Sequence, residues 1–215
     1  MGEGTTGVCD ESSRCRPRSA YGVSKLEAER ALLRLADEND LQLTIMRLPL
    51  VYGPGCKGNV YRLLQAAAAG RSLPLGRVRN RRSMAYVGNV VAAGLAALTA
   101  TSSSGKLYLV ADDRPYSTAE IYGAMCEALG KPPALRAVPV SLLRLLGTLG
   151  GIGERLLRRP LPVNPRAVRR LTGDLVFRTD RIRRELGFRP PFDLKEGMAE
   201  TVAWYRNSGA AGDVR

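Results

Sequence analysis

Tyr21 and Lys25 stand four residues apart in a stretch, Ser19 to about Asn39, whose Leu26, Leu32, Leu33 and Leu35 recur at helical spacing. On a helix both side chains project from one face. A phenol, with an ordinary pKa of about 10, is too weak an acid to stand as the basic phenolate at neutral pH. An ammonium fixed beside it favours the phenolate and lowers that value. The phenolate can then take a proton from an alcohol while a hydride leaves the same carbon for an acceptor such as a nicotinamide. Other schemes are closed to this chain. It has no histidine, so Ser-His and Cys-His nucleophiles are excluded. Cys9, Cys15, Cys56 and Cys126 form no CxxC pair and have no histidine to complete a zinc site, so no metal is expected. They read as free thiols of a reducing compartment. The bare Tyr-x-x-x-Lys pair is also met as a surface lysine beside a packed tyrosine, so its neighbours must decide.

The elements that would position the pair follow from local signals. Residues 1–18 read as loop, and Ser19 is a suitable N-cap for the Tyr21 helix. Gln42–Tyr52 is a mostly apolar run stopped by Gly53-Pro54-Gly55, the pattern of a buried parallel strand ending in a turn. A helix is expected over Asn59–Ala69, an extended piece at Leu73–Leu75, a strand at Ser83–Val87 and a helix over Asn89–Thr99. Lys106–Val110 reads as a second buried strand. Ser117 and Glu120 form a capping box opening a helix to Leu129. Arg136–Val140 is expected to be extended, Ser141–Leu157 helical, Thr179–Leu186 a helix closed by Gly187, and Leu194–Asn207 a last helix before a frayed tail. The alternation predicts an α/β fold with a parallel sheet. Two convincing strands are too few to cover so many helices, so the sheet is expected to be incomplete.

Composition bounds the function. At 45% hydrophobic and 25% charged residues the 215-residue chain is an ordinary globular one. No apolar run is long enough for a membrane span, and the first residues lack the apolar core of a secretory signal, so a cytoplasmic location is expected. The net charge of +13 is carried by arginines spread along the whole chain with few aromatic residues between them. That favours a basic surface over nucleic-acid binding, although forks such as Arg77-Arg79-Arg81-Arg82 suit phosphate.

Four segments in order then carry a resemblance. Ser19-Ala20-Tyr21-Gly22-Val23-Ser24-Lys25-Leu26-Glu27-Ala28-Glu29 is similar to the active-site helix of extended short-chain dehydrogenases/reductases, the NAD-dependent epimerase/dehydratase family. Arg47-Leu48-Pro49-Leu50-Val51-Tyr52-Gly53-Pro54-Gly55 resembles that family's next signature. Arg81-Arg82-Ser83-Met84-Ala85-Tyr86-Val87-Gly88-Asn89-Val90 resembles its arginine-led strand before a helix, and Asp180 to Pro190 its closing segment.

The resemblance implies a Rossmann-type α/β fold with a small substrate-binding subdomain. Residues 1–58 and 89–112 would be the remainder of the dinucleotide-binding domain, 59–88 and 113–208 the substrate-binding subdomain, and 209–215 a tail. It implies Tyr21 as catalytic acid/base, and Lys25 as the cation that tunes it and holds the nicotinamide ribose. Pro49 and Leu50 would line the nicotinamide of NAD or NADP. Asn59 and Arg82 would hold the diphosphate of a nucleotide sugar, with Arg170 a second phosphate arginine and Leu75 packing on the uracil. The expected function is that of a UDP-hexose or UDP-N-acetylhexosamine 4-epimerase of the bacterial polysaccharide branch, homodimeric when complete. A UDP-4-keto-6-deoxy-hexosamine reductase and an inactive fragment are the alternatives. Departures are informative. Leu50 stands where many relatives carry Asn, and Gly88 or Asn89 where many carry Asp. The strand-borne Gly-x-x-Gly-x-x-Gly turn that cradles the pyrophosphate is not found. The one segment with that spacing, Gly147–Gly153, lies far downstream in a leucine-rich helical stretch with no strand before it. The family's catalytic Ser or Thr is not found either, Ser12 and Ser13 being too near Tyr21. An N-terminally truncated chain with poor solubility and no measurable NAD affinity is therefore expected.

Overall fold

A computed structural model describes residues 7–100, 103–157, 159, 161 and 164–208, apart from the side chain of Arg170. The expected loop at residues 1–6 and the expected tail beyond Ser208 lie outside these residues. In chain order the elements are β1 (Gly7–Cys9), α1 (Ala20–Asn39), β2 (Thr44–Arg47), β3 (Leu50–Tyr52), α2 (Gly58–Ala68), β4 (Met84–Tyr86) and α3 (Val87–Thr99). Then follow β5 (Lys106–Leu109), α4 (Thr118–Ala128), α5 (Val140–Leu157), α6 (Pro165–Thr172), β6 (Leu175–Phe177), α7 (Asp180–Leu186) and α8 (Leu194–Asn207). The fold is mixed α/β with parallel strands. No helix among the described residues is long and apolar enough to cross a membrane.

The chain forms two compact units: residues 1–51, 83–115 and 175–193, and residues 52–82, 116–174 and 194–215. In the first, β2 pairs in parallel with β5 from Thr44↔Lys106 to Arg47↔Leu109. β1 pairs in parallel with β6 from Gly7↔Leu175 to Cys9↔Phe177, and β3 pairs with β4. Ala93, Tyr108, Val110, Ile182 and Phe188 close a core over which Met46 and Leu186 pack. In the second unit α4 packs on α8 and α2, and α5 packs on α6. Leu64, Tyr122, Met125, Met198 and Tyr205 are fully buried there.

Local signals hold where they are strong. Ser19 caps α1 by accepting from the Gly22 N–H, the Ser117–Glu120 capping box is complete, and Gly187 ends α7 in the left-handed region, φ 63°. Other expectations need correction. The single strand over Gln42–Tyr52 is two, and all four β2 residues are only half-buried. The break falls at Leu48-Pro49, because proline has no N–H to donate and biases the residue before it. The chain therefore leaves β5 and rejoins pairing against β4. Part of the loop expected over residues 1–18 is strand β1, whose partner lies more than 160 residues away. β6 and α6 were assigned no element from sequence, although Asn164-Pro165 is an N-cap followed by proline at the first helical position. Arg136–Val140 has no strand: the parallel bridge Leu73↔Leu135 falls just before it, and Val140 already opens α5. Residues 83–88 and 175–193 go with the first unit, because Ser83 donates its N–H to Leu175 O at 2.8 Å and accepts from Phe177 N at its hydroxyl, 2.9 Å.

Candidate active site

In the first unit α1 brings Tyr21 and Lys25 together. The Lys25 Nζ lies 5.5 Å from the centre of the Tyr21 ring, within the range where an ammonium is attracted to an aromatic face. Tyr21 is 71% exposed, so its hydroxyl is open to a substrate. The local sequence makes this possible. A Cβ at Gly22 would stand 2.9 Å from Pro17 Cβ, so glycine there lets the preceding segment turn closely onto the helix. The Ser24 hydroxyl donates to the Tyr21 carbonyl at 2.9 Å.

One turn beyond Lys25, Glu29 accepts from Arg47 through both oxygens: Nη2–Oε1 2.5 Å and Nε–Oε2 3.0 Å. The helix face that carries Tyr21 and Lys25 is thereby tied to the end of β2. Pro49, half-buried, and Leu50, exposed, follow Arg47 directly, so one short segment holds both the tie and the two expected nicotinamide-lining residues. The sequence reading gave Arg47 no role of its own, although it heads the Arg-Leu-Pro-Leu segment; its contact with Glu29 is what the structure adds.

Ser12 and Ser13 both donate to Asp10 Oδ1, at 2.7 and 2.9 Å. Those hydrogen bonds, the one from Ser12 foremost, hold the Asp10 carboxyl below the usual range. Their hydroxyl hydrogens are thus directed into a local turn.

In the second unit Asn59 is exposed in the first turn of α2. Lys57 at the N-cap makes no side-chain cap bond, and the first turn carries no acidic residue. The leading N–H groups and the positive end of the helix are therefore of the kind that suits an anion. Arg82 exchanges main-chain hydrogen bonds with Tyr116, 2.8 Å each way, and its Nη1 donates to Gly173 O at 3.3 Å. Asn80, buried, is the hub beside it. Its Nδ2 donates to the Thr118 hydroxyl at 3.0 Å and to Gly173 O at 3.3 Å, and its Oδ1 accepts from Thr118 N at 2.9 Å. Thr118 in turn donates to Leu171 O at 2.9 Å. Asn80 and Thr118 therefore fasten the start of α4 to the end of α6, the helix that carries Arg170. The side chain of Arg170 itself lies outside those described. Leu75 is 1% exposed; contact with a nucleobase would require its protein cover to move.

Gly147 to Gly153 lie inside α5. A Cβ at Gly147 would meet Val168 Cγ2 at 2.7 Å, and one at Gly151 would meet Pro165 Cδ at 2.9 Å. Gly147 and Gly151 serve close packing of α5 on α6, and all of these glycines lie inside a helix rather than at a strand-to-helix turn.

A family model described as the NAD dependent epimerase/dehydratase family matches residues 2–111. UDP-glucose 4-epimerase of Vibrio cholerae is 32% identical over 204 residues, covering 94% of this chain and 58% of the relative. The N-acetyl-alpha-D-glucosaminyl-diphospho-ditrans,octacis-undecaprenol 4-epimerase of Escherichia coli O157:H7 is 26% identical, over 91% of this chain and 59% of its own. Among solved structures, UDP-glucuronic acid 4-epimerase from Bacillus cereus in complex with NAD superposes with a TM-score of 0.70 at 16% identity. The match covers 96% of this chain and 58% of that one, and speaks for the fold. The chain thus spans under three-fifths of the length of these relatives.

Proposed function

The chain belongs to the NAD-dependent epimerase/dehydratase family, and from that premise we propose that it carries the proton-transfer and substrate-binding portion of a sugar-nucleotide 4-epimerase. The substrate would be a UDP-hexose or UDP-N-acetylhexosamine. The observation that carries the reading is the exposed Tyr21 phenol with the Lys25 ammonium 5.5 Å from its ring. The 32%-identical relative is a UDP-glucose 4-epimerase, which supports the substrate class.

The residues present fit one end of a dinucleotide. An exposed phenol and ammonium on one helix face suit a nicotinamide ribose, and Pro49 and Leu50 would supply apolar contacts to the nicotinamide. They do not fit the pyrophosphate, since the only glycine triplet of the right spacing lies inside helix α5 rather than at a strand-to-helix turn. What NAD supplies when bound is acceptance and return of a hydride at the sugar C4. The chain's own residues handle the proton. Tyr21 Oη takes it from the C4 hydroxyl and gives it back after the sugar has turned its other face, and Lys25 favours the anionic phenol between those events. Asn59 with the open turn of α2, Arg82 and Arg170 would hold the diphosphate. Two unit-one helices expose apolar residues, Val23, Leu32 and Leu35 on α1 and Val91, Leu95 and Leu98 on α3, and these suit a second copy of the chain in a homodimer.

The test is C4 inversion of UDP-glucose and UDP-N-acetylglucosamine by the complete protein, with and without Tyr21→Phe. We expect the substitution to abolish turnover and to leave sugar-nucleotide binding in place. Retained turnover would exclude Tyr21 as the base. Absence of inversion together with net oxidation of NADH or NADPH by a 4-keto sugar nucleotide would replace the epimerase reading with a reductase. For the 215 residues alone we expect no NAD affinity, and a tight stoichiometric titration would refute that.

A further inference from the structure

Helix α5 is built the wrong way round for a helix that belongs only to a core. At about 100° per residue, Leu143, Gly147, Gly151 and Glu154 share one face. That face is the one laid on α6, where Gly147 is buried against Val168 and Gly151 approaches Pro165. Leu142, Leu145, Leu149, Ile152 and Leu156 recur at intervals of three and four on the opposite face, and all are 44–77% exposed. The small residues point inward and the large apolar ones outward. A contiguous apolar stripe of this kind marks an interaction surface rather than chance exposure.

Charge says what the surface suits. From Val140 to Thr172 the chain carries seven arginines and one acidic residue. That residue, Glu154, is turned inward: its Oε1 accepts from Leu161 N and Asn164 Nδ2, both at 2.8 Å. Arg144 and Arg155 flank the stripe on one side, both exposed, and Arg166 and Arg169 on the adjoining α6 are exposed as well. An apolar stripe with arginines along its border is the pattern of a helix lying in a membrane interface, its leucines in the acyl boundary and its guanidinium groups among anionic headgroups. A nucleic acid would use the arginines but leave the leucines in water. A second copy of this chain would bring a like-charged border against the first.

We propose that α5 is an interfacial helix that docks this protein on an anionic phospholipid surface, through the stripe from Leu142 to Leu156 and its arginine border. The proposal needs neither dinucleotide nor sugar nucleotide, so it stands or falls apart from the catalytic reading.

The test is flotation of the 215-residue chain with vesicles of phosphatidylcholine alone and of phosphatidylcholine with phosphatidylglycerol. Binding is expected to the anionic vesicles, to fall at least about tenfold with Leu145→Glu/Leu149→Glu, and to weaken with Arg144→Glu/Arg155→Glu. Both pairs are exposed, and circular dichroism would verify that the fold is kept. A second readout uses Leu149→Trp in a Trp204→Phe background, whose emission should shift to the blue on addition of anionic vesicles only. Three results would overturn the proposal. The chain fails to float, or the leucine variant floats as well as the parent, which leaves bare charge attraction. Otherwise the leucine variant merely converts a dimer to a monomer with no change at the vesicle, which assigns the stripe to a second copy.

Discussion

The Arg47 guanidinium holds the Glu29 carboxylate by two contacts of 2.5 and 3.0 Å, and in doing so ties strand β2 to the face of α1 on which Tyr21 and Lys25 stand. Both side chains are less than a fifth exposed, so solvent screens the pair little. Two-pronged geometry fixes a direction as well as a distance. Glu29→Gln should leave a half-buried guanidinium short of a charged partner and cost roughly 1–3 kcal/mol of stability. Urea denaturation of Glu29→Gln, Arg47→Gln and the double variant measures the coupling. Additive losses would mean that the two side chains do not act as a pair.

Asn89 is the hydrogen-bonding hub at the start of α3. Its Nδ2 donates to Asp112 Oδ1 at 2.8 Å and to Phe192 O at 2.9 Å, while its Oδ1 accepts from Phe192 N at 3.0 Å. Asn89→Asp would set a second carboxylate against Asp112 in a site with no exposure. A loss of roughly 2–4 kcal/mol at neutral pH is expected. It should shrink as the pH is lowered, since one of two facing carboxyls then holds a proton. Denaturation of the variant at pH 7 and pH 5 checks the direction.

Glu185 gathers Lys106 Nζ at 2.8 Å, Arg181 Nε at 3.1 Å and the Tyr108 hydroxyl at 3.1 Å. The Lys106 hydrogen bond foremost, then those from Arg181 and Tyr108, lower its pKa from the ordinary 4.5 to about 2. A carboxylate depressed by folding contributes stability that is fully present above the unfolded value and is lost as the folded value is approached from above. Stability should therefore fall between about pH 4.5 and pH 2 through this group. Glu185→Gln should flatten that part of the profile, read as denaturation midpoint against pH.

Two helical glycines make opposite predictions. Gly123 in α4 has open space where a Cβ would go, so Gly123→Ala should stabilise by up to ~1 kcal/mol through helix propensity. Gly147 has Val168 Cγ2 at 2.7 Å from the same point, and a β-branched side chain has little freedom to yield. Gly147→Ala should destabilise by about 1–2 kcal/mol despite its propensity. Thermal denaturation of the two variants side by side is the measurement.

Much of the fold was legible because its signals are short-ranged. Ser19 announces α1, Ser117 and Glu120 announce α4, and Gly187 closes α7, each through hydrogen bonds or a backbone angle set within four residues. β1 and β6 were not legible. Three-residue strands carry no periodicity of their own, and Gly7–Cys9 is a strand only because Leu175–Phe177 lies beside it. The hub at Asn80 was invisible for the same reason: its partners Thr118 and Gly173 are 38 and 93 residues away. Leu75 could be named from a motif, but its complete burial could not.

By itself the sequence determined the pairing of Tyr21 with Lys25, to which the proposed proton transfer is assigned. Tyr21 and Lys25 sit side by side because four residues of α-helix return a side chain to the same face, whatever surrounds it. Only the tertiary structure decided that Arg47 should anchor that helix, that the run through Pro49 should change partners, and that α5 should turn glycines in and leucines out. Those outcomes depend on which distant surfaces meet, and steric fit between segments far apart in the chain is written in no single segment.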